Sequence, residues 1–176
     1  MITNDTLTTL KNRRSCKDYK PEQIKDEELE AILDAGTWAP TGMGKQSPIM
    51  IAVQNKEDIA ELERINAEIF GKPGAPLFYG APTVVVVLAD AERPTAVYDG
   101  SLVMGNLLNA AASIGVGACW IHRAKETFER EDGKALLKKW GINGNYIGIG
   151  NCILGYAASE PKEGLPRKSD YITIIK

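Results

Sequence analysis

The fold of this chain is decided by the stretch DGSLVMGNLLNAAASIGVGACWI, residues 99–121. Its first half belongs to a predicted helix over residues 97–114, whose side chains are apolar or small on nearly every face. Gly115 then begins a turn into a short predicted strand that ends at Ile121. Because a helix that is apolar all round must be covered on several sides, this stretch predicts the central helix of a layered fold.

Helical and strand patterns alternate on both sides of this stretch. Before it, the patterns predict a helix from Asn4 or Asp5, a helix from Asp26 that stops before Pro40, a strand over 49–53, a helix over 56–70 and a strand over 83–88. After it, they predict a helix over 125–140, a strand over 146–154 and a strand-like pentad over 171–175. Because two helices precede the first strand, the order indicates an α+β or mixed three-layer domain rather than a simple doubly wound sheet.

Length and composition predict one compact domain over residues 1–176, with 44% apolar and 25% charged residues. The net charge of -2 leaves no basic excess for a nucleic acid, so nucleic-acid binding is not expected. Three cysteines without C-x-x-C spacing fit a reducing cytoplasm. The start of the chain lacks an apolar signal region, and the longest apolar run, residues 84–89, is too short for a membrane span. We therefore expect a cytoplasmic protein without a membrane partner.

Several familiar motifs are absent from the sequence. Neither G-x-G-x-x-G nor a P-loop pattern occurs, which excludes the standard dinucleotide and P-loop sites. His122 is the single histidine, so histidine-rich metal sites are excluded and a Ser-His-Asp triad has one candidate base. We predict no metal site and disfavour hydrolysis.

Two basic clusters are suited to a phosphate group. Arg13, Arg14, Ser15 and Lys17 lie near one end of the chain, and the Arg167-Lys168 pair lies near the other. Arginine binds two phosphate oxygens in a fork and serine donates a further hydrogen bond, although a solvated charge run is favoured for either cluster alone.

The loop over residues 39–48 adds two glycines and the amide of Gln46. That amide could address donor and acceptor atoms of a planar heterocycle. Composition alone favours a plain connection from helix to strand.

Four ordered segments together are more specific than any one of them. They are Arg-Arg-Ser-x-Lys at 13–17, Ala-Pro-Thr-Gly-x-x-x-Gln at 39–46, the stretch at 99–121, and Gly-Tyr followed by Pro-Arg-Lys at 155–168. In this order the chain resembles a short member of the nitroreductase family of FMN-dependent flavoproteins. The resemblance implies a three-layer α/β/α sandwich with a mixed, mainly antiparallel central sheet. It also implies a homodimer that binds two FMN molecules at its interface and exchanges the C-terminal strand at 171–175.

The resemblance also implies a set of cofactor-binding residues. Arg13 and Ser15 would face the phosphate and ribityl chain, with Arg14 beside them, Lys17 would face the pyrimidine edge, and Arg167 with Lys168 would meet the phosphate. Pro40, Thr41 and Gln46 would come from the partner subunit or from the far wall of the same site. Asn66 would reach the pyrimidine edge, while Trp120, Ile121 and His122 would pass along the flavin face with a backbone N–H directed at N5.

The sequence departs from the family pattern at three positions. Gly44 stands where many relatives carry Asn, and Ser47 stands where Pro is usual. Arg123 occupies a position where a small residue is common, and it would narrow access to the flavin or add an anion contact.

The implied function is ping-pong hydride transfer from NAD(P)H to a nitroaromatic, quinone or flavin acceptor. The same scaffold leaves open a flavoenzyme of other chemistry, such as dehalogenation or a specific oxidation, and a non-enzymatic FMN-binding redox sensor. His122 is either a catalytic acid or the end of a strand, and the second interpretation is favoured.

Overall fold

The computed structural model describes residues 2–176. Within them the helices and strands follow in this order: α1 (Asp5–Asn12), α2 (Asp26–Thr37), β1 (Pro48–Val53), α3 (Lys56–Ile69), β2 (Thr83–Asp90), α4 (Ala96–Ser113), β3 (Gly117–Ile121), α5 (Ala124–Glu129), α6 (Glu131–Lys139) and β4 (Tyr146–Gly155). No helix in this described part is long and apolar enough to cross a membrane.

The four strands form one sheet in the order β1-β2-β4-β3, and each neighbouring pair is antiparallel. Residues 84–89 of β2 are fully buried, because this strand lies inside the sheet and both its faces are covered. Among residues 2–176 the parallel component of the sheet is confined to an isolated bridge between Ser15 and Ala118. The α+β prediction with a mainly antiparallel sheet is therefore confirmed.

Helices cover both faces of the sheet, as the alternation of side chains along a strand requires. On one face, Val85 and Val87 of β2 belong to a buried cluster with Ile32 of α2 and Leu107 of α4. On the other face, a second buried cluster combines side chains of β2 and β4 with those of α3, α5 and α6; it includes Val84, Val86, Leu62, Ile65, Phe128, Leu136 and Ile153. This is the expected three-layer sandwich.

The single helix predicted over 125–140 is wrong, because two helices occupy that range. Arg130 is extended between α5 and α6, with φ −80° and ψ 154°. At Gly133 a Cβ atom would lie 1.9 Å from the Thr127 carbonyl oxygen, so glycine allows α6 to turn back closely on α5.

The C-terminal strand predicted over 171–175 does not form within the single chain. These residues are without strand pairing, and Ile172, Ile174 and Ile175 are 77%, 74% and 89% exposed. A strand needs a neighbour for its backbone hydrogen bonds, and none of the four strands in the described chain pairs with this segment. Exchange of the strand in a homodimer stays a prediction.

Helix α4 is covered on only part of its surface. Val103, Met104, Leu107 and Ala111 are buried in the core between α4, α2 and the sheet. Four large apolar side chains on or next to α4 nevertheless stay exposed, and they are Val97, Tyr98, Leu102 and Ile114. The cover that the sequence predicts on several sides of α4 is therefore incomplete in one chain.

Candidate cofactor site

A cavity of about 980 Å³ lies where the two ends of the chain meet. Its walls come from the end of α1, residues 13–18, the turn between α4 and β3, and the tail over residues 157–167. The volume is at the upper end of the range for small-molecule and cofactor pockets. The cavity brings together Arg13, Arg14, Ser15, Lys17 and Arg167, which lie at opposite ends of the sequence.

Arg13 occupies the C-cap of α1, where the chain leaves the helix with φ −54° and ψ 130°. Its guanidinium atom Nη1 is buried and has no hydrogen-bond partner within residues 2–176. Burial raises the pKa of the Cys152 thiol to about 12, and the positive charge of Arg13 opposes this rise. A buried donor without an acceptor is costly, and it suits an anionic group placed in the cavity.

Arg14 has a different role from its neighbour, although it also lines the cavity. Its Nη1 donates to the carbonyl oxygens of Lys11 at 2.7 Å and Arg13 at 2.9 Å. A Cβ atom on Gly164 would lie 2.4 Å from Arg14 Nη2, so the guanidinium also contacts the tail. Arg14 thus joins the end of α1 to the tail, and its predicted cofactor contact stays a prediction.

Ser15 and Lys17 are held beside the first residues of β3. The Cys16 N–H donates to the Ala118 carbonyl oxygen at 3.0 Å, next to the Ser15 bridge. Lys17 is exposed, and its ammonium group lies 5.6 Å from the centre of the Tyr79 ring. Both side chains line the cavity, as a contact to a ligand there requires.

The tail is fixed to the body of the protein where it leaves β4. The Lys20 N–H donates to the Tyr156 carbonyl oxygen at 2.9 Å, and the Ala158 N–H donates to that of Asp18 at 3.0 Å. Arg167 then lines the cavity, whereas Lys168 is exposed and is not part of the lining.

Pro40, Thr41 and Gln46 do not line this cavity. They belong to the loop between α2 and β1, where the Gln46 N–H donates to Thr41 Oγ1 at 3.0 Å. Met43, Gly44 and Gln46 all have positive φ values, so the loop is tightly turned.

Asp99 of α4 holds that loop in place and was not among the predicted site residues. Its buried carboxylate accepts hydrogen bonds from the Gly42 N–H at 3.0 Å, Ser47 Oγ at 3.1 Å and Thr95 Oγ1 at 2.9 Å. The hydrogen bond that the Ser47 hydroxyl donates to Asp99 gives the serine at this position a structural role. The aspartate at the start of the stretch 99–121 was the available signal, but the sequence alone does not show its partners.

We expect Asp99→Asn to lower the free energy of unfolding by about 2–3 kcal/mol. The asparagine side chain offers one neutral acceptor oxygen to the three groups that donate to the Asp99 carboxylate, and its NH₂ group would face one or more of these donors. Asp34→Asn is the matched control, since Asp34 is an exposed aspartate on α2. We expect the control to change stability by less than about 0.5 kcal/mol in urea titrations. Equal unfolding midpoints for the two variants would contradict this role of Asp99.

Asn66, Trp120, Ile121 and His122 also lie outside the cavity lining. Asn66 is fully buried and both ends of its amide are used within the chain, because Nδ2 donates to the His122 carbonyl oxygen at 2.8 Å and Oδ1 accepts from Arg123 Nε at 3.0 Å. Ile121 is buried, Trp120 is half-buried and His122 is exposed. The structure therefore gathers Arg13, Arg14, Ser15, Lys17 and Arg167 at the cavity. Lys168, Asn66 and the candidates of the loop and β3 lie outside its lining in the single chain.

The fold is an antiparallel α+β sandwich with a large cavity, whose lining includes five lysine and arginine side chains against three acidic ones. This excess of positive charge defines a protein suited to an anionic cofactor. The chain belongs to the nitroreductase family: the model of the "Nitroreductase family" matches residues 10–156. The predicted family membership is confirmed.

Solved structures of similar fold cover nearly all of the chain. A nitroreductase with bound FMN from Bacteroides fragilis NCTC 9343 is 31% identical, with a TM-score of 0.90 and coverage of 99% of this chain and 100% of that one. A nitroreductase with bound FMN from Desulfitobacterium hafniense DCB-2 is 28% identical, with a TM-score of 0.89 and the same coverage. An "FMN reductase [NAD(P)H]" of Bacillus subtilis is 30% identical over 90 residues, which are 51% of this chain and 34% of that protein.

Proposed function

We propose that this chain is an FMN-dependent NAD(P)H oxidoreductase that transfers reducing equivalents to nitroaromatic, quinone or flavin acceptors. The observation that carries the proposal is that Arg13 lines the cavity together with Ser15, Lys17 and Arg167, while its buried Nη1 has no partner among residues 2–176. The solved relatives with bound FMN support the choice of cofactor. We assign this role to one domain over residues 1–176.

The residues present fit FMN. Arg13, Ser15 and Arg167 would hold the phosphate and ribityl chain, since a guanidinium fork and a hydroxyl match phosphate oxygens. Lys17 would lie at the pyrimidine edge, where a cation stabilises negative charge. FMN, when bound, supplies the hydride chemistry. The side chains themselves bind the cofactor and orient it.

The second half of the site would come from a second copy of the chain. Thr41 and Gln46 lie outside the cavity and on a loop that Asp99 fixes. Large apolar side chains stay exposed at the end of α2, on α4 and in the tail; they include Trp38, Val97, Tyr98, Leu102, Ile172 and Ile174. Exposed apolar side chains in this number support a protein interface. A homodimer would cover it and bring the partner's loop to the cofactor.

We further propose a ping-pong scheme in which NAD(P)H and the acceptor use one substrate site in turn. The chain has no separate dinucleotide motif that would bind both at once. Cys16, Cys119 and Cys152 are free cysteines, and this supports a location in the reducing cytoplasm.

The test is a visible absorbance spectrum of the purified protein, followed by anaerobic addition of NADH or NADPH. We expect a flavin band that bleaches with a nicotinamide donor and recovers when menadione or nitrofurazone is added. A flavin band that neither donor bleaches would contradict the oxidoreductase proposal and favour a redox sensor or an oxidase of other chemistry. A colourless protein that binds no added FMN would contradict the cofactor assignment.

A further inference from the structure

We propose that Arg123 binds an oxyanion and thereby selects substrates that carry a carboxylate or phosphate group. The inference rests on the proposed function and on the expectation that residues 120–122 pass along the flavin face. Arg123 lies two residues after the end of β3 and directly before α5.

The backbone of Arg123 is fixed in an uncommon conformation. It has φ 78° and ψ 13°, in the left-handed region that disfavours residues with a Cβ atom. Its carbonyl oxygen accepts from the Thr127 N–H at 2.9 Å and from Thr127 Oγ1 at 2.8 Å. Backbone strain held in this way concentrates at functional sites.

The side chain of Arg123 is held on two sides. Nε donates to Oδ1 of the buried Asn66 at 3.0 Å, and Asn66 in turn donates to the His122 carbonyl oxygen. The guanidinium carbon lies 4.7 Å from the centre of the Phe70 ring. A hydrogen bond and a cation–π contact therefore orient the guanidinium before any ligand arrives, which reduces the entropy lost on binding.

The outer edge of this guanidinium is open. Within residues 2–176, Nη1 and Nη2 of Arg123 make no hydrogen bond to another residue and no ion pair, and Glu126, the nearest acid along the chain, does not pair with Arg123. Arg64 and Arg130, by contrast, each pair with glutamate and aspartate side chains.

A second cation lies on the same ring, because Lys72 Nζ is 5.6 Å from the centre of Phe70. Phe70 is 47% exposed, so its ring and the two cations beside it are accessible to a ligand from solution. Neither Arg123 nor Lys72 forms an ion pair within residues 2–176, and two unpaired cations on one accessible ring favour binding of an anion. The free edge of an arginine presents two parallel donors, which match the two oxygens of a carboxylate or phosphate.

The oxyanion has two sources among the proposed substrates: the phosphates of the nicotinamide nucleotide and a carboxylate on the acceptor. Equilibrium binding to the oxidised, FMN-loaded protein separates them without turnover. The probes are NAD⁺ for the phosphates, benzoate for the carboxylate and benzyl alcohol as the neutral reference, each titrated against the flavin spectrum.

We expect Arg123→Ala to weaken binding of NAD⁺, benzoate or both by at least about 10-fold, with benzyl alcohol unchanged, because a charge-assisted fork is lost. Arg123→Lys keeps the charge and loses the fork, so it should give an intermediate value. Lys125→Ala removes a nearby charge that is paired with Glu129 and is the matched control. Unchanged affinity for both anions in Arg123→Ala, or an equal loss for benzyl alcohol, would overturn the proposal.

Turnover gives a second readout. NADH is compared with the neutral donor 1-benzyl-1,4-dihydronicotinamide, and 4-nitrobenzoate is compared with 4-nitrobenzyl alcohol. In Arg123→Ala we expect KM to rise for the anionic substrate that Arg123 binds, while the neutral pair keeps both kcat and KM. A wild-type protein that no dihydronicotinamide reduces would contradict the proposed function instead, and the binding titrations would still decide the role of Arg123.

Discussion

Arg13→Ala is expected to fold normally and to bind FMN about 10- to 150-fold more weakly than the wild type. The range corresponds to loss of a hydrogen bond to a charged group, about 1.5–3 kcal/mol. In the protein without ligand, Nη1 of Arg13 is buried without a partner, so its removal costs the folded chain little. The binding constant is measured from the quenching of FMN fluorescence when the apoprotein is added.

Arg14→Ala is the matched variant, because it removes the same side chain one position along the chain. Arg14 donates to two backbone carbonyl oxygens at the end of α1 and contacts the tail at Gly164. We therefore expect the opposite pattern, a lower melting temperature with FMN affinity changed much less than in Arg13→Ala. Equal FMN affinity in the two variants would show that the buried Nη1 is not a cofactor contact.

The contrast between Arg13 and Arg14 shows which features of the candidate site can be predicted from the sequence and which cannot. The pattern of residues 13–17 predicts a phosphate site, and the cavity brings that cluster to Arg167 as expected. Two adjacent arginines are equivalent in the sequence, however. Their roles separate only because α1 ends at Asn12 and the chain turns at Arg13, which sends one guanidinium inward and the other along the helix end.

The fold itself was largely predictable from periodicity and apolar runs. The buried strand β2 and the helix α4, which is rich in small and apolar residues, lie where those patterns predict them. The break between α5 and α6 was missed because charged residues run through it, and the close contact at Gly133 depends on tertiary geometry. Periodicity reports which face is buried and says little about where a solvated helix bends.

Contacts between distant residues were outside the reach of sequence reasoning. The sequence does not show that the Asn66 amide joins His122 and Arg123, which lie 56 and 57 positions away. Its contact with the cofactor stays a prediction. Asp99 likewise binds Gly42 and Ser47 across 57 and 52 positions. A buried polar side chain must find partners, but spacing along one sequence does not show which ones.

The tail joins the cofactor site to the surface proposed for the dimer. Arg167 lines the cavity, while the isoleucines over residues 172–175 are exposed and make no strand pairing in the single chain. A segment with these two properties has a polar part suited to the cofactor and an apolar part suited to a second copy.

Removal of residues 165–176 is therefore expected to abolish both FMN retention and the dimer. The truncated chain loses Leu165 and Arg167 from the cavity wall, together with the exposed isoleucines that would cross to the partner's sheet. Light scattering coupled to size exclusion gives the mass, and the ratio of visible to ultraviolet absorbance gives the flavin content.

Two full-length variants separate the functions that truncation removes together. Arg167→Ala should weaken FMN binding and leave the dimer intact, because a cavity-lining cation is lost while the apolar tail remains. Ile174→Asp should lower the dimer fraction, because a charge placed at an apolar interface has no partner there. A truncated protein that stays yellow and dimeric would refute the exchanged strand. If Arg167→Ala alone dissociated the dimer, FMN binding and assembly would be coupled through the phosphate end of the cavity rather than through the isoleucines.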